Sequence, residues 1–217
     1  MSASLGGKRV LVSAGPTYED IDPVRFIGNR SSGKMGFAVA AAAAGAGADV
    51  VLVAGPVQLP TPDGVRRIDV RSAAQLREAV LGALPADVYI GTAAVADYTP
   101  RQMAPGKIKK TGETLVLELV RTADVLAEVA AHPRRPALVV GFAAETDDVE
   151  RYARGKLAAK KLDLIAANRV GVAGSGFESE DNALTVYWQD GERSLGPAPK
   201  TELARQLIQL ILEKTPA

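Results

Sequence analysis

The strongest constraint on the fold is a regular alternation of apolar runs with helical patterns. Lys8–Ser13 contains the uninterrupted run Val-Leu-Val, which suits a strand covered on both faces, and Ala48–Ala54 has the same character. Between them, the small apolar residues from Lys34 to Gly45 predict a helix packed closely on a sheet. This alternation predicts an α/β fold with a Rossmann-like open parallel sheet, helices on both faces, and ligands beyond the carboxyl ends of the strands.

The rest of the chain predicts further elements of this fold and two additions to it. An alternating segment, Glu113–Val120, predicts an antiparallel strand, and Leu184–Trp188 with the Asp190-Gly191 turn predicts a C-terminal antiparallel hairpin after a polar loop at Gly171–Asn182. Because no linker or repeat interrupts the chain, residues 1–217 are expected to form a single domain. We also expect strands at Arg67–Val70, Asp87–Gly91, Leu138–Ala144 and Leu162–Asn168, and helices at Ser72–Leu84 (capped by Ser72), Ala123–Ala131 (capped by Thr122), from about Thr146, and at Lys200–Glu213.

Composition excludes several classes of function. With 26 basic and 25 acidic side chains, the net charge of +1 gives no global attraction to nucleic acid or to an anionic membrane. No apolar run approaches the length of a spanning helix and no leader pattern opens the chain, so we expect a soluble, cytoplasmic protein. The absence of cysteine excludes disulfides, thiolate nucleophiles and Cys-type zinc sites. With one histidine, His132, a His-rich metal site is excluded and Ser-His hydrolase chemistry is disfavoured.

A glycine-rich segment at Gly28–Gly36, with the sequence Gly-Asn-Arg-Ser-Ser-Gly-Lys-Met-Gly, precedes the first long helix. Unpaired N–H groups and the positive end of the dipole at a helix start stabilise phosphate oxygens, and Arg30 and Lys34 add positive charge. The segment therefore predicts an anion cradle, although a glycine-rich loop could also simply permit a tight connection. A Walker A loop is rejected because Met35 replaces the magnesium-binding Ser or Thr and about 15 residues separate the cradle from the first strand.

Two segments in the middle of the chain could also contact a phosphorylated ligand. Gly91–Tyr98 follows a predicted strand, and Asp97 is its one carboxylate, which suits Mg²⁺ held mainly by water and phosphate but would equally suit an Asx-turn before Pro100. Thr99–Thr111 contains Pro100, Pro105 and Gly106 before Lys107-Ile-Lys-Lys, and it predicts a mobile flap. Its lysines either close over phosphates or guard an exposed strand edge.

Two lysines of the helix from about Thr146 are four residues apart. Lys156 and Lys160 therefore lie on the same helix face. Tyr152 and Lys156 also match the Y-x-x-x-K pair of short-chain dehydrogenases, so an NAD(P) reductase is the alternative function. The G-x-G-x-x-G sequence after the first strand and the ribose-binding acid of nicotinamide dinucleotide folds are both missing, which favours coincidence.

Five motifs in this order closely resemble bacterial phosphopantothenoylcysteine synthetase: the cradle, Ala93–Tyr98, Lys107–Lys110, Gly141–Thr146 and Leu162–Asn168. The resemblance runs from about Arg9 to Glu213. It implies ligation of 4'-phosphopantothenate to L-cysteine in coenzyme A synthesis, with CTP as co-substrate and Mg²⁺ as cofactor. The carboxylate would attack the α-phosphorus of CTP to give an acyl-cytidylate and pyrophosphate, and the amine of cysteine would then displace CMP.

The resemblance also implies roles for individual residues. Lys107 would offset charge on the α-phosphate, Asn29 would hold the acyl-cytidylate, and Arg25 and Ala94 would bind phosphopantothenate. Asp97 would lie beside cytidine and the metal. The other nucleotide-binding positions implied are Ser31, Gly33, Gly91, Thr92, Ala93, Lys107, Ala123, Asp124, Val125, Leu126, Phe142, Lys156 and Lys160. Ala123 stands where proline is expected, and Thr92 where cysteine can occur, both at positions where backbone would do the binding.

The resemblance further implies a homodimer, with Arg25 offered across its interface as one option. In many bacteria such a unit is fused to a flavin-dependent decarboxylase, and nothing in this chain resembles that half. A different class of function, a non-catalytic nucleotide sensor, would share the same binding motifs but would not turn CTP over.

Overall fold

The structure, a computed structural model, describes residues 4–110, 112–169 and 181–215. Apolar runs form the central strands and segments rich in alanine and leucine form the helices, as their side-chain patterns require. The strands are β1 (Arg9–Ala14), β2 (Tyr18–Asp20), β3 (Phe26–Gly28), β4 (Asp49–Ala54), β5 (Val65–Asp69), β6 (Val88–Gly91), β7 (Tyr98–Pro100), β8 (Leu119–Arg121), β9 (Leu138–Glu145), β10 (Leu164–Arg169), β11 (Asp181–Trp188) and β12 (Gly191–Pro199). The helices are α1 (Lys34–Gly45), α2 (Ala73–Gly82), α3 (Val125–Ala130), α4 (Val149–Ala159) and α5 (Lys200–Lys214).

An eight-stranded sheet forms the centre of the structure, in the order β12-β11-β10-β9-β6-β1-β4-β5. The strands from β5 to β10 in this order are parallel, and β11 and β12 extend the sheet as an antiparallel hairpin. The chain winds outward from β1 through β4 and β5, then returns to the other side of β1 to form β6. This reversal opens a crevice at the carboxyl ends of β1 and β6, where ligands bind in such sheets. The predicted parallel sheet and terminal hairpin are therefore confirmed.

Two apolar layers cover the sheet. Successive residues of a strand point to opposite faces, so Val10 and Val12 pack in the layer beneath α1 and α5, whereas Leu11 packs in the layer beneath α2, α3 and α4. The alanines of α1 allow it to lie close to the sheet and to α5. Helices on both faces are thus confirmed. Among the described residues, no helix combines the length and the apolar character that crossing a bilayer requires.

The two predicted helix caps have different outcomes. Ser72 caps α2 by accepting a hydrogen bond from Gln75 N, and the Gln75 side chain completes a capping box. The cap predicted at Thr122 is wrong, because Asp124 caps α3 and the helix begins only at Val125. Thr122 Oγ1 instead donates to Ala96 O at 2.6 Å, which ties this segment to the chain that follows β6.

Two small antiparallel hairpins complete the described structure. The segment between β1 and the cradle, which has no clear sequence periodicity, forms the β2–β3 hairpin, with Tyr18 stacked on Phe26 at 4.0 Å between ring centroids. The other hairpin pairs β7 with β8. The strand predicted over Glu113–Val120 is wrong for residues 113–118, because the pairing with β7 ends at the bond that Arg101 N donates to Glu118 O at 2.9 Å.

The predicted flap and the predicted polar loop differ in part from the structure. Tyr98–Pro100 is strand β7, so the flap begins after Pro100, and Thr111 lies outside the described residues. Similarly, Asp181 and Asn182 begin β11 and do not belong to a loop, whereas residues 170–180 lie outside the described residues.

Candidate active site

A cavity of about 940 Å³ lies at the carboxyl edge of the sheet, over the reversal between β1 and β6. Its size is at the upper end for small-molecule sites and suits a nucleotide together with a second ligand. Five separate segments of the chain contribute most of the lining: the cradle, the segment after β6, the start of α3, the end of β9 and the end of α4. The predicted site residues that line it are Asn29, Ser31, Gly33, Gly91, Thr92, Ala93, Ala94, Asp97, Ala123, Asp124, Val125, Leu126, Phe142, Lys156 and Lys160.

The cradle turns sharply into α1. Gly33 has φ of 74°, a left-handed conformation that favours glycine, and Ser31 Oγ accepts a hydrogen bond from Gly33 N at 3.3 Å. Ser32 Oγ accepts from Lys34 N at 3.5 Å. Because the N-cap residue is Gly33, no N-cap side chain caps α1, and the first turn of this helix faces the cavity. The N–H groups of that turn and the helix dipole therefore favour an anion at this end of the cavity.

Gly36 allows α1 to lie directly against the floor of the cavity. A Cβ atom at this position would be 2.2 Å from Thr92 Oγ1 and 2.4 Å from Ala14 Cβ. Thr92 cannot easily withdraw, because its Oγ1 donates to Ser13 O at 2.7 Å and its backbone N donates to the same oxygen at 2.9 Å. The approach of α1 to β1 and β6 thus requires a residue without a side chain.

The segment after β6 is held against the chain that follows β1. Ala94 N donates to Gly15 O at 2.9 Å, and Thr17 Oγ1 accepts from Ala96 N at 3.0 Å. Asn29 reaches this segment from the cradle, with Nδ2 donating to Val95 O at 2.9 Å and to Ala94 O at 3.4 Å. These bonds join the two walls of the cavity and hold Asn29 in one orientation.

Tyr89 and Ser13 form the floor of the cavity. Their hydroxyl oxygens are 2.9 Å apart, and both side chains are almost fully buried. Burial raises the pKa of Tyr89 to about 12; the hydrogen bond with Ser13 lowers this pKa, and the nearby charge of Asp124 raises it further. Tyr89 is consequently neutral at physiological pH and presents a dipole, not a charge, to the cavity.

Lys156 of α4 and Lys160, the C-cap residue of that helix, each pair with a carboxylate. Lys156 Nζ is 2.6 Å from Glu145 Oε1, and Lys160 Nζ is 2.8 Å from Asp124 Oδ2. Asp124 also accepts a hydrogen bond from Ala127 N, so it joins the cap of α3 to Lys160. The predicted common direction of the two lysines is borne out, since both line the cavity. Tyr152 is not among the lining residues, which disfavours the paired Tyr-Lys chemistry of a reductase.

Asp97 is the candidate magnesium ligand. Its side chain is exposed and lines the cavity, while its backbone oxygen accepts from Thr122 N at 3.0 Å. Within the described ranges, no three His, Asp or Glu residues cluster to form a metal site by themselves. A single carboxylate beside an anion cradle fits Mg²⁺, which binds nucleotides through one or two carboxylates, water and phosphate oxygens.

Two predicted site residues lie elsewhere. Lys107 and Arg25 are not among the residues that line the cavity of this chain. Arg25 pairs with Asp22 in the β2–β3 turn, and its Nη2 also donates to Ile108 O at 3.1 Å. The structure therefore brings Arg25 together with the lysine segment, Lys107–Lys110, outside the lining of the cavity.

Several lining residues were missed by sequence reasoning. Ser13 and Tyr89 belong to buried strands and carry no motif, whereas Asn168 is the residue before the last of β10 at the carboxyl edge, a position that the strand-end rule could have identified. Asn182 and Lys200 reach the cavity because β11 starts, and β12 ends, at that same edge. Lys200 is largely buried. Only the pairing of the terminal hairpin with β10 places these two residues.

Comparison with known proteins gives a consistent result. The family model described as the DNA/pantothenate metabolism flavoprotein C-terminal domain matches residues 5–215. The coenzyme A biosynthesis bifunctional protein CoaBC of Vibrio cholerae is 54% identical over 213 residues, which cover 97% of this chain and 53% of that protein. CoaBC of Escherichia coli is 51% identical over 203 residues, covering 92% of this chain and 50% of that protein. The chain thus spans about half the length of these curated relatives.

Similarity to solved structures indicates the same family. A crystal structure of the C-terminal domain of CoaBC is 41% identical, with a TM-score of 0.83 and coverage of 98% of both chains. A Cab2 mutant in complex with phosphopantothenate-cysteine is 15% identical with a TM-score of 0.78, covering 96% of this chain and 86% of that one, and shows a shared fold. From the family match and these identities, the chain belongs to the DNA/pantothenate metabolism flavoprotein C-terminal domain family, as the resemblance to phosphopantothenoylcysteine synthetase predicts.

Proposed function

We propose that this chain joins 4'-phosphopantothenate to L-cysteine in coenzyme A biosynthesis, with CTP as the activating nucleotide. The observation that carries the proposal is the convergence of the cradle, the Gly91–Asp97 segment and the Lys156–Lys160 face on one cavity, in a chain of this family. Relatives that are 54% and 51% identical in sequence to this chain are named for coenzyme A biosynthesis. A Cab2 mutant of the same fold holds phosphopantothenate-cysteine.

The first step activates the carboxylate. One carboxylate oxygen of phosphopantothenate attacks the α-phosphorus of CTP, the bond to the bridging oxygen breaks, and pyrophosphate leaves. The N–H groups at the start of α1 stabilise the phosphate charge, and the cradle supports them through Ser31 and Gly33. Mg²⁺, when bound beside Asp97, supplies charge neutralisation on the phosphates. We assign Lys107 the role of stabilising the charge that builds on the α-phosphate. The cytosine base of CTP is assigned to the wall formed by Ala123–Leu126 and Phe142.

The second step forms the amide. The cysteine amine attacks the acyl carbon of the acyl-cytidylate, the acyl–oxygen bond breaks, CMP leaves, and the amine loses a proton. Asn29 donates through Nδ2 to Val95 O and Ala94 O, so its Oδ1 is the atom available to orient the intermediate or the amine. Tyr89 and Ser13, as neutral hydroxyls, add no charge to the floor beneath this step.

Arg25 and Lys107 lie outside the lining of this chain's own cavity, so their assigned roles require a movement of the flap or a second subunit. The expected homodimer, with Arg25 offered across its interface, meets this requirement. Association with a flavin-dependent decarboxylase, as a fusion or as a separate chain, would supply the preceding or following activity of the same biosynthesis.

The proposed function predicts two separable signals. With CTP and phosphopantothenate alone, the protein should release pyrophosphate; addition of cysteine should then release CMP. Lys107→Gln should lower the first signal by about 100-fold or more, because one electrostatic contact to a transition state contributes about 3 kcal/mol. Lys110→Gln, in the same flap, is the matched control and should keep the wild-type rate. Equal rates for the two variants would contradict the role of Lys107.

A second substitution tests the amide step. Asn29→Asp places an oxygen against the carbonyls of Val95 and Ala94, so it should disturb the second step more than the first. Pyrophosphate release and CMP release are followed separately, and equal loss in both would contradict a specific role. Tight CTP binding without turnover in the presence of both co-substrates would indicate a nucleotide sensor, and nicotinamide binding without a requirement for CTP would indicate a reductase.

A further inference from the structure

Asp22, in the turn of the β2–β3 hairpin, is a fully buried carboxylate to which the proposed chemistry assigns no role. Its Oδ1 accepts hydrogen bonds from Val24 N and Arg25 N, both at 2.9 Å. Its Oδ2 accepts from Arg25 Nε at 3.0 Å and from Ile108 N at 3.1 Å, and it also contacts Arg25 Nη2. A buried carboxylate is stable only when its oxygens are hydrogen-bonded in this way.

These bonds connect the hairpin to the lysine segment at a specific place. Ile108, which follows Lys107, donates its N–H to Asp22 and accepts a bond from Arg25 Nη2 at 3.1 Å. Three residues before Lys107, Ala104 N donates to Ile21 O at 2.9 Å. The backbone is therefore fastened on both sides of Lys107, whereas the Lys107 side chain is exposed. Peptide geometry then fixes where the lysine starts relative to the guanidinium of Arg25.

The charges support the same connection. The Arg25 guanidinium lowers the pKa of the Asp22 carboxyl to well below its usual range, against the opposing effect of burial, with help from the N–H groups of Val24 and Ile108. Asp22 is thus ionised throughout the neutral range. Because Asp22 compensates the charge of Arg25, the cluster of Asp22, Arg25 and Lys107 has a net charge of about +1, and attraction to Asp22 offsets part of the repulsion between the two cations.

We propose that Asp22 is a positioning residue that holds Arg25 and Lys107 as one unit, so that both cations enter the same cavity together. The inference rests on the proposed function for the assignment of Arg25 to phosphopantothenate and of Lys107 to the α-phosphate of CTP. It goes beyond that function in stating that these two residues act in the same cavity and cannot be positioned independently. A residue that contacts neither ligand therefore controls both contacts.

Asp22→Asn is the informative variant. The amide oxygen can still accept from Val24 N and Arg25 N, which preserves the turn, but the amide nitrogen then faces the N–H groups of Arg25 and Ile108 without an acceptor. Asp20→Asn is the matched control. Asp20 is in the same hairpin and also pairs with an arginine, Arg71, at 2.6 Å, but its contacts do not include the lysine segment.

Two measurements are made on both variants and on the wild-type protein. Hydrogen–deuterium exchange should become at least tenfold faster in peptides covering residues 101–110 of Asp22→Asn. In steady-state pyrophosphate release, kcat should fall at least tenfold because Lys107 is no longer positioned at the α-phosphate. KM for phosphopantothenate should rise at least fivefold because Arg25 is no longer positioned to bind it. KM for CTP should stay within threefold, because the cradle is untouched. Asp20→Asn should match the wild-type protein in every parameter.

The proposal is overturned if residues 101–110 of Asp22→Asn exchange at the wild-type rate, or if kcat and KM for phosphopantothenate remain at their wild-type values. It is also overturned if all activity loss equals the unfolded fraction measured by circular dichroism, since a purely structural role predicts normal constants for the folded molecules. If the wild-type protein releases no pyrophosphate from CTP, the proposed function fails separately, and the exchange measurement still decides whether Asp22 holds the lysine segment.

Discussion

Replacement of Gly36 by alanine should separate α1 from the floor of the cavity. The new Cβ would be 2.2 Å from Thr92 Oγ1 and 2.4 Å from Ala14 Cβ, whereas non-bonded heavy atoms pack at about 3.5–4.0 Å. Relief requires a shift of more than about 1 Å, which would strain the helix or break the bond from Thr92 Oγ1 to Ser13 O.

The magnitude follows from three contributions. Overpacking costs about 1–3 kcal/mol, and loss of the Thr92 hydrogen bond adds about 1 kcal/mol. Higher helix propensity returns at most about 1 kcal/mol. Gly36→Ala should therefore lower the free energy of unfolding by about 2 kcal/mol, which corresponds to a decrease in Tm of about 4–8 °C for a chain of this length.

Gly45→Ala is the matched control, because Gly45 lies in the same helix and a Cβ there would meet nothing within 4 Å. This variant should be unchanged or more stable by up to about 1 kcal/mol. Urea and thermal unfolding followed by circular dichroism measure both changes, and KM for CTP should rise only in Gly36→Ala. Equal stability of the two variants would refute the argument that close approach of α1 requires glycine at position 36.

Two further predictions concern the floor and the second helix. Tyr89, with its pKa raised to about 12, should give an ionisation near pH 12 in an ultraviolet titration, and Tyr89→Phe should remove that transition. Because the unfolded phenol ionises near pH 10, this group should lower the folded state's stability as pH rises from about 10 to 12, and the slope should flatten in Tyr89→Phe; an identical slope would contradict the assignment. Ser72→Ala, which removes the capping box with Gln75, should reduce the free energy of unfolding by about 1 kcal/mol in urea and leave pyrophosphate release unchanged; a lower kcat at full folding would contradict a purely structural role.

Much of the fold could be predicted because its signals are local. The apolar run before Ser13, the alanine-rich segment after Lys34 and the capping box at Ser72 each depend on residues a few positions apart. Short elements were predicted less well. The β2–β3 hairpin has three-residue strands, too short for a period-two pattern, and it is stabilised from outside by Arg71, whose guanidinium lies 5.5 Å from the Tyr18 and Phe26 ring centroids.

The residues of the candidate site also divide into those with a local sequence signal and those without one. The cradle, Asp97 and the lysine pair of α4 could be identified because each combines charge or glycine with a recognisable position at the end of an element. Tyr89 could not be identified, because its sequence neighbours are those of any buried strand. It forms the floor of the cavity together with Ser13, which is 76 positions away along the chain. Lys200 could be placed only by the pairing of β11 with β10 and β12.

The sequence by itself determined that the chain forms a parallel α/β sheet with a glycine-rich turn before its first long helix, because side-chain periodicity and helix-end chemistry act over a few residues. Tertiary structure alone decided which side chains share the cavity and that Asp22 fastens the lysine segment 86 positions away. Such contacts depend on strand order and on burial, which oblige distant polar groups to find hydrogen-bond partners that no local pattern encodes.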